Sequence, residues 1–421
     1  MAGSYGSNPL PATKQVNINM MKIVQINACY EYSSTGRTCY EMDKYLKEHG
    51  IDSYKFYSKS QKNSEKYDLI GTWLDHKIHA LLSRITGRQA YFSFLPTRIL
   101  IGKLKKIKPD VIILRNFHSN YINFPLLVNY LAKNEIPTIV VLHDCWFFTG
   151  YCCHYTEVKC QKWQNECNKC PLIKADKASW FFDSTRSVFR HRKKMFESIP
   201  RLAVVGVSEW ITNEGRKAPI FHNAFKFQRI YNWIDLKSFY PREEAGIRKK
   251  LGLTSTDFVA LGVSMSWNFR KGLNVYIEVA KQMPDIKIVM IGHKPDLQLP
   301  SNIISVQPTN SIEELAQYYS MADVLFNFSI QETFGKVAAE ALACGTPLIV
   351  NNATANPELP GLCGYVVENN NVTQVVDAVK SIRNHGKDYY KQQCVKRANE
   401  LFEKNKNLEQ YIQLFNELII K

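Results

Sequence analysis

Apolar residues in this chain come either in short unbroken runs or at every third to fourth position. Met21–Ala28 (MKIVQINA), Ile51–Tyr57, Val111–Leu114 and Thr138–Leu142 are runs of the first kind, with Pro109 and Pro137 just ahead of the last two. Such runs, bounded by turn residues, predict strands buried on both faces, as in a parallel sheet. Val204–Ser208 reads as the last strand of this series. A second series comprises Phe258–Ser264, Ile286–Gly292, Ile303–Val306, Ala322–Phe328, Leu348–Val350 and Gly364–Val367. Helical spacing fills the intervals at Thr38–His49, 73–108, Ser311–Met321, Lys336–Ala343 and about Tyr389–Ile420. Strand–helix alternation predicts doubly wound α/β sheets, with ligands beyond the carboxyl ends of the strands.

A chain of 421 residues exceeds one ordinary core, so two domains are expected. Residues 1–20 read as a disordered leader or cloning remnant, with Met21 as a natural start. Residues 21–235 form the first domain and 236–395 the second, and 396–421 form a helix crossing back onto the first. No window approaches eighteen uninterrupted apolar residues, and the first twenty lack the basic and apolar regions of a signal peptide. A cytoplasmic protein is the expectation.

Charge is uneven. Residues 1–235 hold 34 of the 54 Lys and Arg but only 19 of the 38 Asp and Glu, so nearly all of the +16 net charge lies there. Together with the basic, amphipathic stretch 73–108 and the aromatic and basic stretch 180–201, this suggests an anionic partner such as the inner face of the plasma membrane, with a merely solvated basic face as the alternative. Nucleic acid is the other polyanion that would fit, but such a partner leaves the second domain's charged residues without purpose.

The chemistry concentrates in Gln331–Pro347 (QETFGKVAAEALACGTP). Glu332 stands at a strand-to-helix turn, Glu340 eight residues on, and Gly345 and Pro347 stop the helix. The amides of Thr333, Phe334 and Gly335 would welcome an anion at the helix start. Cys153, Cys160, Cys167 and Cys170 follow the spacing Cys-x6-Cys-x6-Cys-x2-Cys, with Cys152 as a spare. Four thiols in a reducing compartment suit structural zinc, and reduced thiols or a disulfide are the alternatives.

The Glu-x7-Glu stretch with its ETFG turn and GTP stop resembles that of retaining, family 4 glycosyltransferases of the GT-B fold. The likeness runs over roughly residues 21–395. It implies two Rossmann-like domains facing each other across a cleft, a UDP- or GDP-sugar donor and a glycan or lipid-linked acceptor in bacterial surface polysaccharide synthesis. No catalytic divalent metal is implied. By the same resemblance, Lys271 grips the donor diphosphate, helped by Arg270 because Met265 replaces a usual arginine. Glu332 accepts from the sugar and Glu340 from the ribose, Gly36 and Gly292 let the backbone approach the nucleotide, and His143 lies at the reacting centre. Asn116, His118 and Asp144 fall on the acceptor side. A nucleotide-sugar epimerase or hydrolase of the same fold is the alternative enzyme, and a zinc-stapled nucleic-acid binder the non-enzymatic one.

Overall fold

The computed structural model describes residues 21–60, 68–175, 178–293 and 297–420; the expected leader, residues 1–20, lies outside them. The first domain is built on β1 (Lys22–Tyr30), β2 (Asp52–Ser60), β3 (Val111–Leu114), β4 (Thr138–Leu142), β5 (Leu202–Gly206) and β6 (Lys226–Arg229). They form one sheet in the order β2-β1-β3-β4-β5-β6, and every neighbouring pair is parallel. β3, β4 and β5 are buried along their whole length, which is why they read as unbroken apolar runs. Val204–Ser208 was expected to close this sheet. β6 (KFQR) follows it at the edge, half-buried and polar, so it offers no apolar run to detect.

Helices α1 (Ser33–Glu48), α2 (Trp73–Thr86), α3 (Phe94–Ile107), α4 (Phe124–Lys133), α5 (Thr185–Glu197) and α6 (Glu209–Lys217) cover this sheet. α1 starts five residues earlier than its apolar spacing suggests. Gly36 consequently lies in a helical turn, where a Cβ would meet Cys29 and Tyr30 at 3.1–3.2 Å. Its role is close packing of α1 on β1.

In the second domain α7 (Ala245–Lys250) precedes β7 (Val259–Ser266), α8 (Leu273–Gln282), β8 (Lys287–His293) and β9 (Ile303–Val306). Then come α9 (Ile312–Met321), β10 (Val324–Asn327), α10 (Lys336–Ala343), β11 (Leu348–Asn351), β12 (Gly364–Val367) and α11 (Val372–His385). The sheet order is β12-β11-β10-β7-β8-β9, again all parallel.

The long C-terminal helix expected from the sequence is two helices, α12 (Lys387–Phe402) and α13 (Lys404–Ile419). Glu403 leaves helical geometry at ψ 128°, and its carboxylate accepts from the amides of Asn405 and Lys406, capping α13. The return to the first domain therefore begins at 403–404 and not at 396. Ile234 N donates to Phe402 O at 2.8 Å there. Beyond it Tyr411 packs edge-on against Trp233, and Arg201 donates to Leu418 O at 2.8 Å. The two domains are thus joined at the linker and again through α13.

Candidate active site

Two turns at the carboxyl ends of β7 and β10 build one wall. Gly272, at φ +74°, leaves no room for a Cβ, which would stand 2.4 Å from the Phe328 side chain. This contact lays the β7–α8 turn directly on the end of β10. Lys271 is thereby brought to Glu332, Nζ to Oε1 2.7 Å, with Ser329 Oγ at 3.4 Å. The Glu332 amide donates to Thr354 Oγ1 at 2.9 Å. Buried Asn356 holds the same turn from below, donating to Ser329 O and accepting from Asn327 Nδ2. Gly335, at φ +85°, enters α10 where a side chain would strike Leu359.

The facing wall comes from the first domain. Thr333 Oγ1 donates to the His143 carbonyl across the cleft at 2.8 Å. Between the walls lies a cavity of about 460 Å³, lined by Lys271, Glu332, Thr333, Phe334 and Gly335 on one side and by Thr35 and His143 on the other. Six predicted residues are brought together here. Phe334 also anchors the turn, packing on Phe402 at 5.3 Å.

His143 follows β4, and its Nε2 accepts from Arg115 Nη1 at 3.1 Å. Burial, and then the Arg115 charge, push its pKa down to about 3. The ring is therefore neutral, with its proton on Nδ1. Arg115 is itself buried, and it also donates to Gln25 Oε1. A charged residue directly after the all-apolar β3 is the signal in the sequence that points to it.

His118 and Asp144 form a second constellation, Nε2 to Oδ2 3.0 Å, while Asp144 Oδ1 accepts from Trp146 N. Burial alone would raise the Asp144 carboxyl, but the His118 charge and these hydrogen bonds hold it down to about 2. Asn116 lies nearer the main cleft, its amide side chain reaching Thr35 Oγ1 at 3.4 Å.

Several expected roles do not fit these positions. Arg270 turns away from Lys271 to meet Glu157 of the cysteine-rich loop, Nε to Oε2 2.8 Å. Both line a separate cavity of about 270 Å³ with Gln89, His118, Cys153 and His154. Glu340 is buried and accepts from Tyr319 Oη at 2.8 Å; burial raises its pKa against the pull of Lys336, Tyr319 and Arg37. It does not line the cleft, and neither do Gly36 or Gly292. Gly292 serves the sheet, since a Cβ there would overlap Ser264 O on β7. Cys153 faces His118 and Asp144, whereas Cys152 joins Cys160, Cys167 and Cys170 around a small cavity. Of the two adjacent cysteines, it is Cys152 that shares the small cavity with the other three.

The fold is GT-B. Sucrose-phosphate synthase from Thermosynechococcus elongatus superposes over 94% of this chain and 99% of its own, with a TM-score of 0.63 and 17% identity. Anabaena Alr3699/HepE, solved in complex with UDP, does so over 94% and 100%, with a TM-score of 0.62 and 13% identity. Residues 257–385, from just before β7 to the end of α11, match the family described as Glycosyl transferases group 1.

Among curated relatives, D-inositol 3-phosphate glycosyltransferase of Mycobacterium sp. (strain JLS) is 27% identical over 206 residues, 44% of this chain and 46% of its own length. Alpha-monoglucosyldiacylglycerol synthase of Acholeplasma laidlawii is 23% identical over 267 residues, 59% and 60%. The chain thus spans about half the length of the curated relatives it matches.

Proposed function

We propose that this chain is a retaining glycosyltransferase that moves a sugar from a nucleoside-diphosphate sugar to a hydroxyl of a glycan or lipid-linked acceptor. The observation that carries this reading is the Lys271–Glu332 pair, 2.7 Å apart in a cleft whose other wall carries His143. Lys271 and the amides at the start of α10 neutralise the diphosphate as the glycosidic bond breaks, with no divalent ion needed. Glu332 exchanges its partner Lys271 for a sugar hydroxyl once the diphosphate claims the lysine. Neutral His143 offers Nδ1–H as a donor to the reacting groups.

Among the described residues lining the cleft, Glu332 is the one carboxylate. The double displacement used by retaining glycosidases needs two. Attack from the face that the diphosphate leaves, with the departing phosphate taking the acceptor proton, is the course this residue set allows. The epimerase or hydrolase alternative lacks its acid–base pair for the same reason.

The acceptor enters past the second cavity, where His118, His154, Glu157 and Arg270 offer hydrogen bonds. Uracil as the donor's base is favoured by the UDP bound to Anabaena Alr3699/HepE, and a lipid acceptor by the Acholeplasma relative, an alpha-monoglucosyldiacylglycerol synthase. Surface polysaccharide assembly at the cytoplasmic face of a membrane is the setting we infer. No described helix is long and apolar enough to cross a membrane.

The test is a thermal-shift series with UDP, GDP, ADP and CMP, with and without EDTA, on wild type and Lys271→Ala. A shift with one nucleotide, kept in EDTA and lost in the variant, is expected. No shift with any of them sinks the reading.

A further inference from the structure

The chain from Thr149 to Ala175 runs through the first domain with a single 3-10 turn at Lys162–Gln164 and neither strand nor α-helix among its described residues. Loops longer than about 12–15 residues without internal structure are uncommon, and ordered ones are usually functional. Apolar anchors exist, since Tyr155 and Trp163 are buried against each other with ring centroids 5.0 Å apart. The cysteines, all unbridged, sit at the other end. Cys152, Cys160, Cys167 and Cys170 line one cavity of about 20 Å³, room for about one water-sized body.

The backbone around them is arranged for sulfur. Gly150 N donates to Cys167 Sγ at 3.3 Å, and a Cβ at Gly150 would press into the Cys167 side chain at 2.9 Å. Lys169 takes a left-handed φ of +41° between Cys167 and Cys170. Lys162 Nζ holds this turn by the carbonyls of Asn168 and Lys169 at 3.1 and 3.0 Å. An independent observation concerns charge. Arg192 is buried, its guanidinium 3.8 Å over the Trp146 ring and bonded to the carbonyls of Trp146 and Thr149. The groups facing it are Tyr91, Cys167, Cys153 and Asp144, and none of them forms an ion pair with it among the described residues. Asp144 is the one carboxylate among them, and its oxygens are taken by His118 and Trp146 N, so the buried cation has no directly bonded anion, which is unfavourable.

We propose that Cys152, Cys160, Cys167 and Cys170 bind one zinc ion as four thiolates, with Arg192 as the neighbouring counter-ion. Such a centre carries two net negative charges, is four-coordinate and closed, and has a structural role. It would stiffen the loop that presents Cys153, His154 and Glu157 to the second cavity.

The four sulfurs stand farther apart here than around a bound ion. Among the described residues, the His/Cys/Asp/Glu set whose ligand atoms all lie within 4.8 Å of one another is His118, Asp144 and Cys153. Both Asp144 oxygens are already engaged, by His118 and by Trp146 N, whereas a loop without regular structure can close on an ion by small torsions. The four-sulfur set is therefore the stronger candidate.

Zinc content of the purified full chain should be about one equivalent. It should be lost in Cys167→Ser and in Cys160→Ser, and kept in Cys153→Ser and His118→Ala. On wild type alone, a tight chelator should free four additional thiols toward a thiol reagent and lower the melting temperature. Cobalt in place of zinc should give the strong sulfur-to-metal charge-transfer absorption of a thiolate site. Three results would overturn the proposal: no zinc bound even when supplied to the reduced protein, a disulfide among these four, or zinc that is lost with Cys153 or His118 yet retained in Cys167→Ser.

Discussion

Arg270 Nε lies 2.8 Å from Glu157 Oε2, and the bond ties the turn before α8 in the second domain to the cysteine-rich loop of the first. Adjacent to Arg270 in sequence, Lys271 points the other way, to Glu332. One turn thus serves two cavities. The partners are 41% and 32% exposed, so the pair contributes about 0–1 kcal/mol to stability and its weight is positional. Glu157→Gln should leave the melting temperature within about 2 °C and the nucleotide-induced shift unchanged, while raising KM for the acceptor several-fold. Arg270→Ala should do the same. A collapse of nucleotide binding in Arg270→Ala would return that residue to the donor diphosphate.

The Lys271–Glu332 pair separates binding from turnover. Lys271→Ala should abolish the nucleotide shift. Glu332→Gln releases Lys271 from its partner, so a bare nucleoside diphosphate should bind at least as tightly as to wild type, while kcat falls about 10²–10³-fold. Calorimetric titration beside a transfer assay checks both. Weaker diphosphate binding in Glu332→Gln would mean that the carboxylate holds the lysine in place and does not compete for it.

Much of this site was legible in the chain. Unbroken apolar runs located β3, β4 and α10's preceding strand because central parallel strands are buried on both faces, and the family resemblance carried by the ETFG turn pointed to Glu332. The rest of the site depends on long-range placement. Nothing local tells that Arg270 faces Glu157, 113 positions away, or that Thr354 and Asn356 brace the Glu332 turn. The half-buried polar β6 and the capped break at Glu403 leave no mark in the sequence because neither alters the apolar period that defines elements there. Choosing between Cys152 and Cys153 depends on which neighbour points inward, and spacing alone is silent on that.

Arg115 fixes His143 as a neutral ring, through burial and its own charge. Between about pH 5 and 8 the wild-type kcat/KM should therefore show no limb from this histidine. Arg115→Met removes the Nη1–Nε2 bond and the repelling charge, so the His143 pKa should rise and an acid limb should move toward the measured range. A wild-type limb near 6.5 that disappears in His143→Ala would refute the neutral assignment.

Acid stability follows from the same groups with a definite sign. His79 is fully buried on α2, bonded through Nδ1 to Ser93 Oγ, and burial pushes its pKa down to about 3. With His143 it stays unprotonated in the folded chain below 6.5, where the unfolded chain takes up protons. Stability should therefore be full above pH 6.5 and decline toward pH 3, by ~1.4 kcal/mol per pH unit for each histidine. The depressed Asp144 carboxyl adds a further loss between about pH 4 and 2. His79→Asn should flatten the fall in melting temperature between pH 6.5 and 4; an unchanged slope would assign acid lability elsewhere.

The exposed faces of α2 and α3 give the membrane reading its test. Trp73, Leu74, Ile78 and Leu81 on α2, and Phe94, Leu95 and Ile99 on α3, stand in solvent, interleaved with exposed Lys77, Arg84, Arg98 and Lys105. Phe181 and Phe182 extend the patch beside the end of α2, where Trp180 N is bonded to Arg84 O. Apolar residues with a basic border on one helix face are what an interfacial helix presents to anionic lipid, each cation adding about 1 kcal/mol near a charged surface. The chain should sediment with vesicles containing phosphatidylglycerol, less so as salt rises, and hardly at all with phosphatidylcholine alone. Trp73→Ser with Phe181→Ser should weaken this binding at least tenfold, with melting temperature and nucleotide shift unchanged because both side chains are more than 70% exposed. Binding that survives this pair but falls with salt would reduce the contact to charge alone, and the apolar faces would need a protein partner instead.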